Sequence, residues 1–313
     1  MSQAPIPLQS LSLPDLYRLA AQLRAAVQPA PTEAVLREIL ARQPEAADVR
    51  FSLAYQLLGR GAFDEAWPLY EARVEVAEYG IRKPRFSFPE WRGEPVRSLL
   101  VYPEQGMGDQ IMFARYAALL RARGVEVTMV APTPLVRLFR TLGVTVLEGA
   151  EGLAVPRCDA WALAGSLPRF LGVHGPSAYL TSLAGGQGIG VVARGNPTYA
   201  KDAQRSLPPA FAAELMALPG AVNLDPQETG AGDFEDTRRL IAGLERVVAV
   251  DTAVAHLAAA MGKPTWLLVS HDPDWRWGWV GEKTPWYPSV RIFRQTTPGD
   301  WRPVLNQVRE ALA

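Results

Sequence analysis

Apolar residues recur in this chain with two periods. From Thr32 to Tyr79 they return every three or four positions, the spacing of a helix with one buried face. The pattern predicts an amphipathic segment over Leu13–Val27, a helix over Glu33–Arg42 capped by Thr32, and another over Ala47–Arg60. A further helix opens at Gly61-Ala-Phe63-Asp-Glu65-Ala66-Trp67. Residues 81–97 hold prolines and aromatics and read as a connector. Beyond them the pattern changes to short β-branched runs alternating with helical stretches. Strands are expected at Ser98–Tyr102, Val125–Val130, Val144–Leu147 and Asp159–Leu163, with helices at Ile111–Arg123 and Thr133–Leu142 between them. A glycine-rich linker, Ala184–Gly190, precedes a second such series. Its strands are Ile189–Ala193, Ala221–Leu224, Val247–Val250, Thr265–Val269 and Val290–Phe293. Its helices are Leu207–Leu218, Asp236–Leu244, Ala253–Met261 and Val304–Leu312. Alternating strands and helices imply parallel, doubly wound sheets. The clearest unit is Val247–Val269: a buried strand, capping side chains at Asp251 and Thr252, an alanine-rich helix, a terminating Gly262 and Pro264, then a strand.

Composition narrows the function classes. The 313 residues are 48% hydrophobic and 20% charged, as expected of packed cores. Thirty-two basic residues balance 32 acidic ones, which argues against nucleic acid as a partner, because tracking phosphates needs a basic excess. One cysteine, Cys158, and three histidines without ligand spacing give no disulfide framework and no metal site. No apolar run is long enough to span a membrane, and the first residues do not read as a signal peptide, so a cytoplasmic protein is expected.

Four stretches carry candidate chemistry. Gln105-Gly106-Met107-Gly108-Asp109 follows a strand and opens a helix, where small residues let a ligand reach the backbone and the helix start favours an anion. Asp109 serves there either as a cap or as a reactive carboxylate. Asn196-Pro-Thr-Tyr-Ala-Lys201-Asp-Ala-Gln-Arg205 is a loop with two cations, which suits phosphate or plain solvent. Thr252 and His256 share one face of the central helix. His271-Asp272-Pro273-Asp274-Trp275-Arg276-Trp277 reads as an aromatic wall or a packing segment rather than a metal site. Gly188-Ile-Gly190 precedes a strand and opens no helix, so it is not a dinucleotide fingerprint.

Two resemblances follow from these residues. Leu57-Leu58-Gly59…Gly61-Ala-Phe63-Asp-Glu65-Ala66…Tyr70-Glu71 resembles one tetratricopeptide repeat, although an ordinary helical hairpin accounts for it equally. The order Pro89-x-Trp91-x-Gly93-Glu94-Pro95, Glu104-Gln-Gly-Met-Gly-Asp109, Gly195-Asn196-Pro197, Arg205-Ser206, Asp251-Thr-Ala-Val-Ala-His256 and Asp274-Trp-Arg-Trp277 resembles bacterial tetratricopeptide-linked glycosyltransferases. These are related to the heptosyltransferases of glycosyltransferase family 9 and more distantly to the protein O-GlcNAc transferase type. The resemblance implies an α/β protein of GT-B fold, with two Rossmann-like domains facing across a cleft. A tetratricopeptide-like helical region (1–83) would precede an acceptor domain (84–185) and a donor domain (186–313) whose last helix returns to the first. It implies inverting, metal-independent transfer of a sugar from a nucleotide-sugar co-substrate, with no other cofactor, to a hydroxyl of a protein such as flagellin, of lipopolysaccharide or of another glycan. Asp109 would be the base. Lys201, Arg205, Asp251, Thr252, Ala253 and His256 would hold the donor phosphates, and Gln105, Gly106, Met107, Gly108, Asn196, Asp274 and Trp275 would line the cleft. The helical region is a candidate contact for a protein partner. Ala193-Arg194 and Asn223-Leu224-Asp225 depart from the group near the expected nucleotide base. A nucleotide-sugar epimerase and a non-catalytic binding scaffold are the competing readings.

Overall fold

A computed structural model describes residues 7–172, 178–180 and 186–312. His174 and the first two residues of the expected glycine-rich linker, Ala184 and Gly185, lie outside the described residues. The chain divides into two compact units. The smaller runs to Pro84 and also takes in Pro273–Val280; the larger comprises Arg85–Asp272 and the residues from Gly281 onward. Among the described residues, no helix is long and apolar enough to cross a membrane.

The smaller unit is helical: α1 (Leu13–Ala25), α2 (Pro29–Arg42), α3 (Ala47–Gly59) and α4 (Phe63–Tyr70). Thr32 does not cap α2. The helix begins at Pro29, and the Thr32 hydroxyl donates to the Gln28 carbonyl at 2.7 Å from inside the first turn. Proline at N1 needs no amide partner, which is why the helix starts earlier than the threonine suggests. Pro273–Val280 completes this unit's core. The Trp275 ring stands edge-on to Trp67 at 5.8 Å and to Tyr70 at 6.1 Å. The Trp279 indole donates to the Gln56 carbonyl at 3.1 Å and lies so close to Gly59 that a Cβ there would fall 2.0 Å from the ring. The small residue of the repeat-like pattern therefore makes room for an indole.

The larger unit holds two parallel sheets. The first is built from β1 (Ser98–Tyr102), α5 (Met107–Ala122), β2 (Glu126–Ala131), α6 (Thr133–Arg140), β3 (Thr145–Glu148), β4 (Ala160–Leu163) and α7 (Leu167–Leu171), with strand order β3-β2-β1-β4. The second contains β5 (Ile189–Val192), α8 (Asp202–Arg205), α9 (Pro209–Met216), β6 (Ala221–Asn223), α10 (Pro226–Thr229) and α11 (Phe234–Ala242). It continues through β7 (Arg246–Val250), α12 (Ala253–Ala260), β8 (Thr265–Val269), β9 (Val290–Arg294) and α13 (Arg302–Leu312), in the order β6-β5-β7-β8-β9. Every pairing is parallel. Strand order reverses between β1 and β4 in the first sheet and between β5 and β7 in the second. Loops at such a switch point diverge and leave a crevice beyond the strand ends.

Near-continuous apolar runs such as Val247–Val250 are buried on both faces, as parallel strands require. One face of the second sheet packs Val191, Val248, Val250, Leu268 and Phe293 against Leu215 of α9 and Trp301, Val304, Leu305 and Val308 of the last segment. Helix α13 thus packs on its own sheet, contrary to the expected return to the first domain. Its apolar stripe is consumed there, and Arg302 and Arg309 reach Glu214 of α9 at 2.7 and 2.8 Å. Leu305→Ala is expected to lower the stability of this unit by about 2–5 kcal/mol, measured as a reduced midpoint of denaturant unfolding; an unchanged midpoint would place α13 elsewhere.

Candidate functional site

The two sheets present their carboxyl ends to one another through α5 and α12. Helix α5 begins at Met107, four residues before the apolar pattern suggested, so Gly108 and Asp109 lie in its first turn. Helix α12 begins at Ala253, capped by Thr252, whose Oγ1 accepts the Ala255 amide at 3.4 Å. The starts of the two helices touch. A Cβ at Gly108 would lie 2.8 Å from His256 Cδ2 and 3.5 Å from Ala253 Cα. Only a residue without a side chain permits this approach. Each helix start carries roughly half a positive charge and amides with no partner in their own helix, so the contact brings two anion-attracting ends together.

The turn before α5 is held tightly. Gln105 has φ 61°, a left-handed conformation uncommon for a side-chain-bearing residue. The Gly106 amide donates to Asp109 Oδ2 at 2.9 Å, so one oxygen of this half-buried carboxylate ties the turn to the helix. Buried Glu104 accepts the Gly165 amide and joins the ends of β1 and β4 across the switch point. Asp109 is therefore both a capping residue and a carboxylate at the crevice.

On the second sheet, the loop after β5 and the turn after β7 meet at the other switch point. Arg205 donates through Nη1 to the Asp251 carbonyl at 2.8 Å and through Nε to Asp202 Oδ1 at 3.0 Å, and its guanidinium lies 4.5 Å from the Tyr199 ring centroid. Asp202 Oδ2 accepts the Ser206 hydroxyl, which in turn accepts the Gly195 amide, both at 2.8 Å. A Cβ on Gly195 would sit 2.3 Å from Asp202 Oδ1, so this network also depends on a missing side chain. Lys201 pairs with Asp272 at 2.7 Å, from the loop after β8. Asn196 folds its own loop: its Oδ1 accepts the Thr198 amide at 3.0 Å and hydroxyl at 2.9 Å.

His256 is 4% exposed, with Nδ1 3.0 Å from the Tyr287 hydroxyl. Tyr287 belongs to an aromatic box around Arg115 of α5, whose guanidinium carbon is 4.7, 5.3 and 5.4 Å from the ring centroids of Tyr287, Tyr179 and Trp286. Arg115 also donates to the Trp286 carbonyl at 2.8 Å, tying the helix of the first sheet to the segment before β9. Arg137 of α6 adds an exposed link to Asp236 of α11 and to Asp233, which caps that helix.

The structure thus brings together Gly106, Met107, Gly108 and Asp109 at one helix start and Thr252, Ala253 and His256 at the other. Asp251 meets Arg205, while Lys201 and Asn196 lie on the same loop after β5. Asp274 and Trp275 belong to the helical unit. Trp275 is 2% exposed among aromatic rings, and Asp274 caps its own turn by accepting the Arg276 amide at 3.0 Å. Of the two readings of this segment, an aromatic wall or packing, the ring contacts of Trp275 fit packing. Asp202, Asp272, Tyr287 and Arg115 are not among the site residues expected from the sequence. Of these, Asp272 and the Gly195–Ser206 stretch lay within motifs already noted, but their pairings join segments up to 71 residues apart. Among the described residues, no group of three or more His, Cys, Asp or Glu side chains is placed to share a metal ion.

Residues 229–297, from the end of α10 past β9, match the family glycosyltransferase family 9 (heptosyltransferase). The chain is 27% identical to protein FlbA of Caulobacter vibrioides over 331 aligned positions, covering 85% of this chain and 55% of that protein, so it spans about half that relative's length. Among solved structures it is similar to Escherichia coli heptosyltransferase WaaC with ADP-2-deoxy-2-fluoro heptose, at 15% identity over 69% of this chain and 100% of that one, with a TM-score of 0.47. It is also similar to the iron-containing dodecameric glycosyltransferase TibC from enterotoxigenic E. coli, at 13% identity over 73% of this chain and 79% of that one, with a TM-score of 0.45.

Gly108→Val is expected to force α5 and α12 apart at a cost of about 1–3 kcal/mol, seen as a lower melting temperature. A melting temperature equal to that of the unaltered protein would mean the helix starts are not in contact.

Proposed function

We propose that the chain is a glycosyltransferase of the inverting, GT-B type, moving a sugar from a nucleotide-sugar to an acceptor hydroxyl. One observation carries this reading: the starts of α5 and α12 converge at the carboxyl ends of two parallel sheets, with Asp109 on one helix and the Arg205 network beside the other. The family match over residues 229–297 supports it, because that stretch includes the whole β7–α12–β8 unit.

The donor diphosphate lies at the start of α12. A helix start contributes about 0.3–1 kcal/mol to a nearby anion, and up to about 2 in sheltered geometry, too little to stabilise a departing diphosphate. Charge-assisted hydrogen bonds from Lys201 and Arg205 supply more, about 1.5–3 kcal/mol each. Both cations are held by aspartates in the structure, at 2.7 Å for Lys201–Asp272 and 3.0 Å for Arg205–Asp202. Lys201 is 41% exposed, and a pair of that kind is worth about 0.2–1 kcal/mol. It can therefore exchange Asp272 for a phosphate at little cost, whereas Arg205 is braced on three sides and stays fixed. Asp109 takes the proton of the acceptor hydroxyl as that oxygen attacks the anomeric carbon, and the nucleoside diphosphate leaves from the opposite face. The reaction uses no metal ion and takes place in the cytoplasm. The acceptor is a protein or glycan hydroxyl, and the helical unit, read as a tetratricopeptide-like element, is the surface on which a protein acceptor docks.

Asp109→Asn is expected to lower kcat by about 10²–10⁴ while donor affinity is kept; full turnover would remove Asp109 as base. Lys201→Ala and Arg205→Ala are each expected to weaken nucleoside diphosphate binding about 10–100-fold by calorimetry. Asp272→Asn frees Lys201 and is expected to tighten the same binding, by up to about fivefold. If none of a panel of nucleotide-sugars and nucleoside diphosphates binds, the donor assignment fails.

A further inference from the structure

The pairing of β8 with β9 continues one residue past the strands themselves. The Gln295 backbone amide donates to the Val269 carbonyl at 3.0 Å, so residue 295 is still fixed to the sheet. Its side chain is 4% exposed, and Oε1 accepts the His271 amide at 3.2 Å. A backbone N–H can only donate, so this bond decides which end of the side-chain amide is the oxygen. The other end, Nε2, is buried and has no hydrogen-bond partner among the described residues. A buried donor left unpaired is unfavourable, and an apolar side chain of similar size would avoid it. What Gln295 does in this place is therefore done by its oxygen, which anchors the loop after β8. That loop is also closed from inside: Ser270, 8% exposed, donates its hydroxyl to the Asp272 carbonyl at 3.0 Å.

The loop so held carries Asp272 to Lys201. Strand order sets β7 between β5 and β8. Lys201 comes from the loop after β5 and Asp272 from the loop after β8, so their 2.7 Å pair crosses the carboxyl end of β7, where Asp251 leads into α12. A half-exposed ion pair gains little unless both partners are held in place. We propose that Gln295 is a positioning residue. By fixing the His271 amide it holds Asp272 where it straps Lys201 across the start of α12, and it thereby sets how readily Lys201 turns to a phosphate. The consequence for donor binding rests on the glycosyltransferase reading; the anchoring of the loop does not. A buried side chain at the end of β9, two strands away from β7, then tunes affinity at the helix start without touching the ligand.

Two measurements test this. The chain has three histidines, so protein labelled with ¹⁵N at histidine gives a simple amide spectrum, and the signal lost in His271→Asn identifies His271. Its amide is expected to exchange with solvent about tenfold more slowly in the unaltered protein than in Gln295→Met, which keeps the bulk and removes the acceptor. Exchange at the rate of an open loop amide in the unaltered protein overturns the proposal and needs no variant to fold; equal rates in the two proteins overturn it as well. The second measurement is calorimetry with ADP, GDP, UDP and CDP. Gln295→Met is expected to tighten binding of whichever of these the unaltered protein takes, by about two- to fivefold. In an Asp272→Asn background the same substitution is expected to change nothing further, because the strap is already gone. An unchanged affinity in Gln295→Met, or an equal change in both backgrounds, overturns the positioning role, since residues that act through one another are not additive. Absence of binding by every member of the panel counts against the glycosyltransferase reading, while the exchange rates decide the anchoring without a ligand.

Discussion

The larger unit depends on two helix starts being allowed to touch. Aligned peptide dipoles make each start positive, and bringing two of them together is unfavourable until something negative shares the space. The cost is borne by packing behind the crevice: Arg115 is enclosed by three rings and bonded to the Trp286 carbonyl, so α5 is held to the second sheet, and one of those rings, Tyr287, also meets His256. The place of closest approach then needs a residue with no side chain, and Gly108 supplies it. The architecture and the positive character of these helix starts share this origin.

The same economy runs through the second switch point. Gly195 lets Asp202 and Arg205 close over the loop after β5, and Arg205 in turn holds the carbonyl of Asp251, the residue just before the α12 cap. One cation is immobilised while the other, Lys201, is paired among the described residues with a partly exposed carboxylate. The loop thus combines a fixed charge with a movable one.

The order of strands and helices was legible in the sequence because buried parallel strands and amphipathic helices differ in period. The β7–α12–β8 unit was clearest, since a threonine cap, alanines and a glycine with φ 74° lie adjacent in the chain. The start of α5 was not legible, because two glycines weaken the helical signal where packing against His256 stabilises it. The partners of Lys201 and His256 were hidden for another reason: Asp272 and Tyr287 reach them from 71 and 31 residues away, and no local pattern encodes that distance. The destination of α13 and the unit to which Asp274 and Trp275 belong were hidden similarly. An apolar stripe announces that it will be buried but not against what.

Pro273–Val280 makes the helical unit discontinuous: its core is assembled from two pieces of chain nearly two hundred residues apart. Such a unit cannot be excised by cutting at the connector. Removing everything before Pro84 would leave Trp275, Trp277 and Trp279 stranded in water, a sticky patch created by the deletion itself. The integrity of the helical unit therefore depends on both pieces of chain at once, and a change to either is felt in the other.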